Sequence, residues 1–200
     1  TWHSAGLLNE NDPDRKKLAQ TMRGAIDAFY EDTPKPVVID KGRGWPIPVI
    51  VSAMSQVLGR KPKIIATVRS IPDCMASFVR VAKPENLDEF MYTGQLADHL
   101  KAAYISLQSG YQYDPECFLF VEYEDLLVDP KAQLKRIHTF LDLPDFDYDF
   151  NSIDGSSVRE DDENLHGYEG MHDIKPKLER LHTQNPRDVL QHHYGTFCQP

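Results

Sequence analysis

One stretch of the chain joins a strand, an arginine and the start of a helix. It reads Ile64-Ile65-Ala66-Thr67-Val68-Arg69-Ser70-Ile71-Pro72-Asp73. The nearly continuous apolar run up to Val68 is typical of a parallel strand that is covered on both faces. Arg69 adds a planar fork of donors, and the helix start adds backbone N–H groups and the positive end of its dipole. The stretch therefore predicts an anion site at the carboxyl end of a buried strand.

Two further apolar runs, at residues 37–39 and 118–121, also predict buried strands. Amphipathic helical patterns alternate with the strands, at residues 18–29, 50–58, 96–107 and 134–141. We expect helices to end at Gly59 and near Gly110, and one to start near Asp129-Pro130. The alternation predicts an α/β fold with a parallel sheet and crossover helices, and 200 residues suit a single domain.

The charge balance argues against a nucleic-acid partner. The chain has 22 Lys and Arg residues against 31 Asp and Glu residues, a net charge of -9. Proteins that bind nucleic acid usually carry a basic patch, whereas a nucleotide site needs only a few local cations. The His and acidic residues show no metal-ligand spacing such as H-E-x-x-H, so the sequence predicts no metal site.

The cysteines favour a reducing compartment. Cys74, Cys117 and Cys198 form no C-x-x-C pair, and their number is odd. Cys74 and Cys117 lie in apolar segments, which predicts buried structural thiols. The chain shows no stretch of about 20 apolar residues and no signal peptide, so we expect a cytoplasmic location without a membrane segment.

A second motif completes a resemblance to a known family. It runs Tyr123-Glu124-Asp125-Leu126, then Asp129-Pro130, then a helix that ends Phe140-Leu141-Asp142-Leu143. Together with the first stretch it resembles the sulfotransferases that use PAPS (3′-phosphoadenosine 5′-phosphosulfate). The resemblance implies that Arg69 and Ser77 bind the 3′-phosphate and that Tyr123 lies near the adenosine. A surface ion pair for Arg69 and a core position for Tyr123 are the alternatives.

A third segment, Val37-Val38-Ile39-Asp40-Lys41-Gly42-Arg43-Gly44-Trp45-Pro46, follows a predicted strand into a loop with two cations. In the resembled family the equivalent strand end faces the acceptor and the transferred group. Lys41 and Arg43 would then stabilise charge on the sulfonate, and Asp40 would orient the acceptor or act as the base. The alternative is a turn in which Asp40 pairs with Lys41 and Trp45 packs on the sheet.

A fourth segment, residues 167–177, is similar to a late loop that many sulfotransferases fold over the phosphate end of the nucleotide. Its glycines allow close backbone approach, and Lys175 and Lys177 supply positive charge. We expect Lys175 and His172 to contact the nucleotide, with Arg159 as a weaker candidate. A plain surface position for His172 is the alternative.

The resemblance implies a three-layer α/β sandwich with a central parallel sheet, as in P-loop NTPases. It also implies transfer of a sulfonate from PAPS to a hydroxyl or amine of a small-molecule or glycan acceptor, without a metal. However, no G-x-x-x-x-G-K-S/T or P-x-S-G-S/T loop is present. We expect the first strand and this loop to precede Thr1.

Two other functions stay open at this point. A nucleotide-kinase-like P-loop relative would need a Walker lysine and Mg²⁺ ligands, which the sequence does not display. A non-catalytic module that keeps the nucleotide clamp would need neither the missing loop nor a base.

Overall fold

The computed structural model describes residues 13–35, 37–93, 95–155, 174–179 and 184–197. The helices are α1 Pro13–Phe29, α2 Pro48–Leu58, α3 Ile71–Ala82, α4 Leu87–Thr93, α5 Gln95–Tyr113, α6 Tyr123–Val128, α7 Pro130–Leu141 and α8 Pro186–Leu190. The strands are β1 Ile64–Val68 and β2 Phe118–Glu122, and 3₁₀ segments cover Pro115–Cys117 and Gln191–Phe197. None of the described helices is long and apolar enough to cross a bilayer.

β1 and β2 pair in parallel as a two-stranded sheet. Parallel neighbours need a crossover connection, which α3, α4 and α5 supply between the two strands. Val121 and Phe118 of β2 are buried, whereas every residue of β1 is at least partly exposed, so the predicted burial of β1 on both faces is wrong for the described residues. The parallel pairing confirms the prediction of an α/β fold with a parallel sheet, and the three-layer sandwich stays a prediction.

The predicted strand at residues 37–39 is wrong. These residues lie outside regular structure, and Ile39 is 80% exposed. In the part of the chain that the structure describes, the sheet consists of β1 and β2 alone. An apolar run becomes a strand only where a neighbour accepts its backbone hydrogen bonds, and the described residues offer none here.

Contacts divide the chain into two compact units. One unit takes residues 1–66 and 100–119, and the other takes residues 67–99 and 120–200. We call them the first and the second unit. The single-domain organisation stays a prediction.

In the first unit, α2 shows how local sequence signals end a helix. Gly59 adopts a left-handed backbone with φ of 65°, which favours glycine and ends α2 where the sequence predicts. Nη1 of Arg23, on α1, donates to the carbonyl of Leu58 at 3.1 Å and so satisfies one of the last helix carbonyls. Val51 and Val57 of α2 are buried.

Gly110 does not end its helix, because α5 continues three residues further to Tyr113. A Cβ atom added at Gly110 would lie 1.9 Å from the backbone oxygen of Pro46 and 2.9 Å from the ring of Phe118. The glycine therefore lets the loop at Pro46 pack directly on α5.

In the second unit, α3 is covered by α8 and by the 3₁₀ segment Gln191–Phe197. Met75 and Ala76 of α3 and Leu190 of α8 are almost completely buried and form the centre of this unit. Helix α7 starts where the sequence predicts, since Asp129 caps it by accepting from the backbone N–H of Ala132 at 2.9 Å.

We expect Gly110→Ala to lower the free energy of unfolding by more than about 2 kcal/mol, because the new methyl group collides with backbone atoms. Gly24→Ala is the matched control, since a Cβ at this helical glycine meets nothing within 4 Å. The control should gain about 0.5–1 kcal/mol from helix propensity. Denaturant unfolding followed by circular dichroism measures both, and equal effects of the two substitutions would contradict the packing role of Gly110.

Candidate functional site

Arg69 and Tyr123 meet beyond the ends of the two strands. Arg69 directly follows β1, and Tyr123 directly follows β2. Because the strands are parallel, their carboxyl ends lie at one edge of the sheet, and the side chains that follow converge there. Cζ of Arg69 lies 4.6 Å from the centroid of the Tyr123 ring, within the range of a cation–π contact. The Tyr123 ring therefore packs against the guanidinium of Arg69.

Two carboxylates approach the same guanidinium. Nη2 of Arg69 lies 3.5 Å from Oδ1 of Asp73, and Nε lies 3.5 Å from Oε1 of Glu124. These distances are those of loose ion pairs rather than of short charged hydrogen bonds. Nε is buried and makes no hydrogen bond to any described residue. The contact of Nε with Glu124 is therefore an ion pair without hydrogen-bond geometry, which leaves this buried donor incompletely satisfied.

The start of α3 is partly satisfied by its own side chains. Ser70 accepts from the backbone N–H of Asp73 at 3.3 Å, and its hydroxyl donates to the Asp73 carboxylate. This reciprocal pair resembles a capping box and also fixes Asp73 beside Arg69. Ser77 lies half-buried about two turns along the same helix. Arg69 and Ser77 are therefore presented by one strand–helix junction, as the sequence predicts.

Lys175 lies in a segment that is tied to the rest of the second unit. The backbone N–H of Ile153 donates to Pro176 at 2.9 Å, and that of Leu178 donates to Phe150 at 2.9 Å. A Cβ at Gly155 would lie 2.9 Å from Cβ of Ile174, so the two chain segments touch closely there. Lys175 itself is exposed. His172 and Arg159 lie outside the described residues.

The loop that carries Asp40 and Lys41 belongs to the first unit. The indole N–H of Trp45 donates to Oδ2 of Asp40 at 2.5 Å, so the described partner of Asp40 is Trp45 rather than Lys41. The hydroxyl of Ser106, on α5, donates to the carbonyl of Arg43 at 3.1 Å. Lys41 is exposed in this loop. The loop is thus held in shape on α5, although it follows no strand.

Neither described cysteine has the character of a nucleophile. Cys117 is completely buried, and this burial raises its pKa to about 11. Burial also raises the pKa of Cys74, although the nearby charge of Arg69 acts in the opposite direction. Both thiols are free. The predicted buried structural thiol is confirmed for Cys117, whereas Cys74 is only half-buried.

Sequence reasoning missed the two acidic partners of Arg69. Asp73 could have been found, because residues four apart on a helical turn are neighbours. Glu124 could not be paired with Arg69 from spacing, because their contact depends on how β1 and β2 pair. Glu124 lies in the first turn of α6, where the helix dipole favours a carboxylate.

The second unit thus places a cationic side chain at the carboxyl end of a parallel α/β sheet, which is where such proteins bind ligands. Residues 51–148 match the model of the sulfotransferase family. The match spans just under half of the chain, and it includes β1, α3, β2 and α7. This match confirms the resemblance to sulfotransferases that the sequence motifs predict. No curated protein and no solved structure matches the chain.

We expect Cys117 to resist alkylation in the folded protein. With a pKa of about 11, about one thiol in a thousand is ionised at pH 8. Iodoacetamide labelling followed by peptide mass spectrometry should show Cys117 reacting at least about 100-fold more slowly than in guanidinium-unfolded protein. Rapid labelling of Cys117 under native conditions would contradict the burial described here.

Proposed function

We propose that this protein is a PAPS-dependent sulfotransferase that transfers a sulfonate to a hydroxyl or amine of a small-molecule or glycan acceptor. The observation that carries the proposal is the pairing of Arg69 with Tyr123 at the strand ends, inside the segment that matches the sulfotransferase family. The match of residues 51–148 to the sulfotransferase family supports sulfonyl transfer in general.

The described residues suit the 3′-phosphate of the donor. The buried Nε of Arg69, which makes a loose ion pair with Glu124 but no hydrogen bond, can donate to a phosphate oxygen, and the guanidinium fork can hold a second oxygen. Ser77 would add a hydroxyl donor from α3, and the Tyr123 ring would lie against the adenosine. Lys175 and His172 would contact the phosphate end of the nucleotide.

The transfer itself would depend on positioning and electrostatics. The acceptor oxygen or nitrogen attacks the sulfur in line, the bond from sulfur to the bridging phosphate oxygen breaks, and adenosine 3′,5′-bisphosphate leaves. Negative charge spreads over the sulfonate oxygens, where Lys41 would stabilise it. Asp40 would take the acceptor proton. We place this reaction in the cytoplasm, which suits the free thiol at Cys117.

The acidic partners of Arg69 would tune the affinity for the donor. In the structure, Asp73 and Glu124 both lie 3.5 Å from the guanidinium and offset its charge. An incoming phosphate would compete with these carboxylates for the same donors, and it would be repelled by them. We infer that Glu124 limits nucleotide affinity and thereby favours release of the bisphosphate product.

Arg69→Ala should weaken binding of adenosine 3′,5′-bisphosphate by about 10- to 100-fold, because a charged hydrogen-bond donor is worth about 1.5–3 kcal/mol. Isothermal titration of the full-length protein measures this, with the exposed Arg60→Ala as the matched control. Unchanged affinity in the Arg69 variant would refute the phosphate clamp.

The choice of nucleotide separates the proposed function from its alternatives. Selective binding of the bisphosphate over AMP and ATP, together with transfer of labelled sulfonate to a panel of hydroxyl and amine acceptors, is the expected result. A preference for ATP would favour a kinase-like relative. Bisphosphate binding without transfer to any acceptor would favour a non-catalytic module.

Glu124→Gln should tighten bisphosphate binding by about 2- to 5-fold, because it removes a partly exposed negative charge beside the phosphate position. The exposed Glu85→Gln is the charge-matched control. Weaker binding in the Glu124 variant would show instead that this carboxylate orients Arg69 for the phosphate, and it would overturn the inferred competition.

A further inference from the structure

Three side chains from two remote parts of the chain converge within the second unit. Asp88 lies in the first turn of α4, and His192 and His193 lie in the 3₁₀ segment Gln191–Phe197. Nε2 of His193 lies 2.7 Å from Oδ1 of Asp88, and Nε2 of His192 lies 3.0 Å from the same oxygen. The two imidazole rings are 4.1 Å apart, centroid to centroid. We call these residues the His–His–Asp cluster.

The cluster has one fixed member and two accessible ones. The side chain of His193 is 8% exposed, and the Tyr92 ring lies edge-on to it with centroids 5.9 Å apart. The buried Leu190 anchors the preceding helix α8 against α3. By contrast, the side chains of Asp88 and His192 are 58% and 66% exposed. An ion from solvent can therefore reach the cluster without any change in the core.

The separations between the donor atoms are close to those around a metal ion. All three donor atoms lie within 4.8 Å of one another. Around an ion with bonds of about 2.0–2.1 Å, neighbouring ligand atoms are about 3.0–3.4 Å apart. The two nitrogen-to-oxygen separations of 2.7 and 3.0 Å are close to this range. Rotation of the two exposed side chains is enough to adjust them.

We propose that the His–His–Asp cluster binds one divalent transition-metal ion, with Zn²⁺ as the best fit. Imidazole nitrogens favour zinc, cobalt and nickel, whereas Mg²⁺ and Ca²⁺ prefer oxygen ligands. Both histidines present Nε2, so Nδ1 carries the proton when the ion is bound. Water fills the remaining positions, because two of the three protein ligands face solvent.

A metal ion at the cluster would join two separate elements of the second unit. A bound ion replaces two hydrogen bonds to one oxygen by three metal–ligand bonds. It would link α4 to the 3₁₀ segment that covers α3, and would therefore stabilise the second unit. This site is independent of the proposed sulfonate transfer.

The test uses untagged, chelator-treated full-length protein and Zn²⁺ alone as the probe. Isothermal titration should give one Zn²⁺ per chain, and thermal unfolding should shift upward with added Zn²⁺. Asp88→Asn and His192→Ala should each weaken Zn²⁺ binding by at least about 10-fold, because each removes a ligand. His99→Ala, an exposed histidine outside the cluster, should bind Zn²⁺ like the unmodified protein.

Absorption of the Co²⁺-loaded unmodified protein gives a measurement that needs no variant to fold. A visible d–d spectrum that Zn²⁺ displaces would support nitrogen coordination at the cluster. Failure to bind either ion at micromolar concentration would overturn the proposal and leave a hydrogen-bonded triad. Zn²⁺ binding that survives both Asp88→Asn and His192→Ala would overturn it equally, since the ion would then lie elsewhere.

Discussion

The parallel pairing of β1 with β2 is the constraint on which the candidate site depends. Parallel strands end at the same edge of a sheet, so the residue after each strand is delivered to a common corner. Arg69 and Tyr123 contact each other for this reason, although 53 positions separate them in sequence. Glu124 reaches the guanidinium by the same route. A shift in strand register would separate all three.

Local signals in the sequence predicted the parts of the fold that local physics decides. Gly59 ends α2 and Asp129 caps α7, because left-handed backbone and side-chain capping need only a few neighbouring residues. The apolar runs before Arg69 and Tyr123 form strands because the backbones of the two runs hydrogen-bond to each other. The run at residues 37–39 is also apolar, but strand pairing is a tertiary property that an apolar run does not specify.

The candidate functional residues likewise include some that local sequence identifies and some that only the tertiary structure brings together. The sequence motifs identified Arg69 and Tyr123 as candidate nucleotide-binding residues, whereas their contact depends on the pairing of β1 with β2, which only the structure shows. The His–His–Asp cluster could not be predicted, because Asp88 and His193 are 105 positions apart and no ligand spacing links them. The close approach of Gly110 to Pro46 could not be predicted either, because the two residues are brought together only in three dimensions.

The packing of α8 on α3 has a consequence for how the limits of this domain are drawn. Sequence similarity to the family stops at residue 148, yet Leu190 is completely buried in the unit that also contains Met75 and Ala76. A fragment cut at the edge of the similarity would therefore uncover the helix that presents Ser77. The edge of the family match and the edge of the packed unit therefore fall at different residues of this chain.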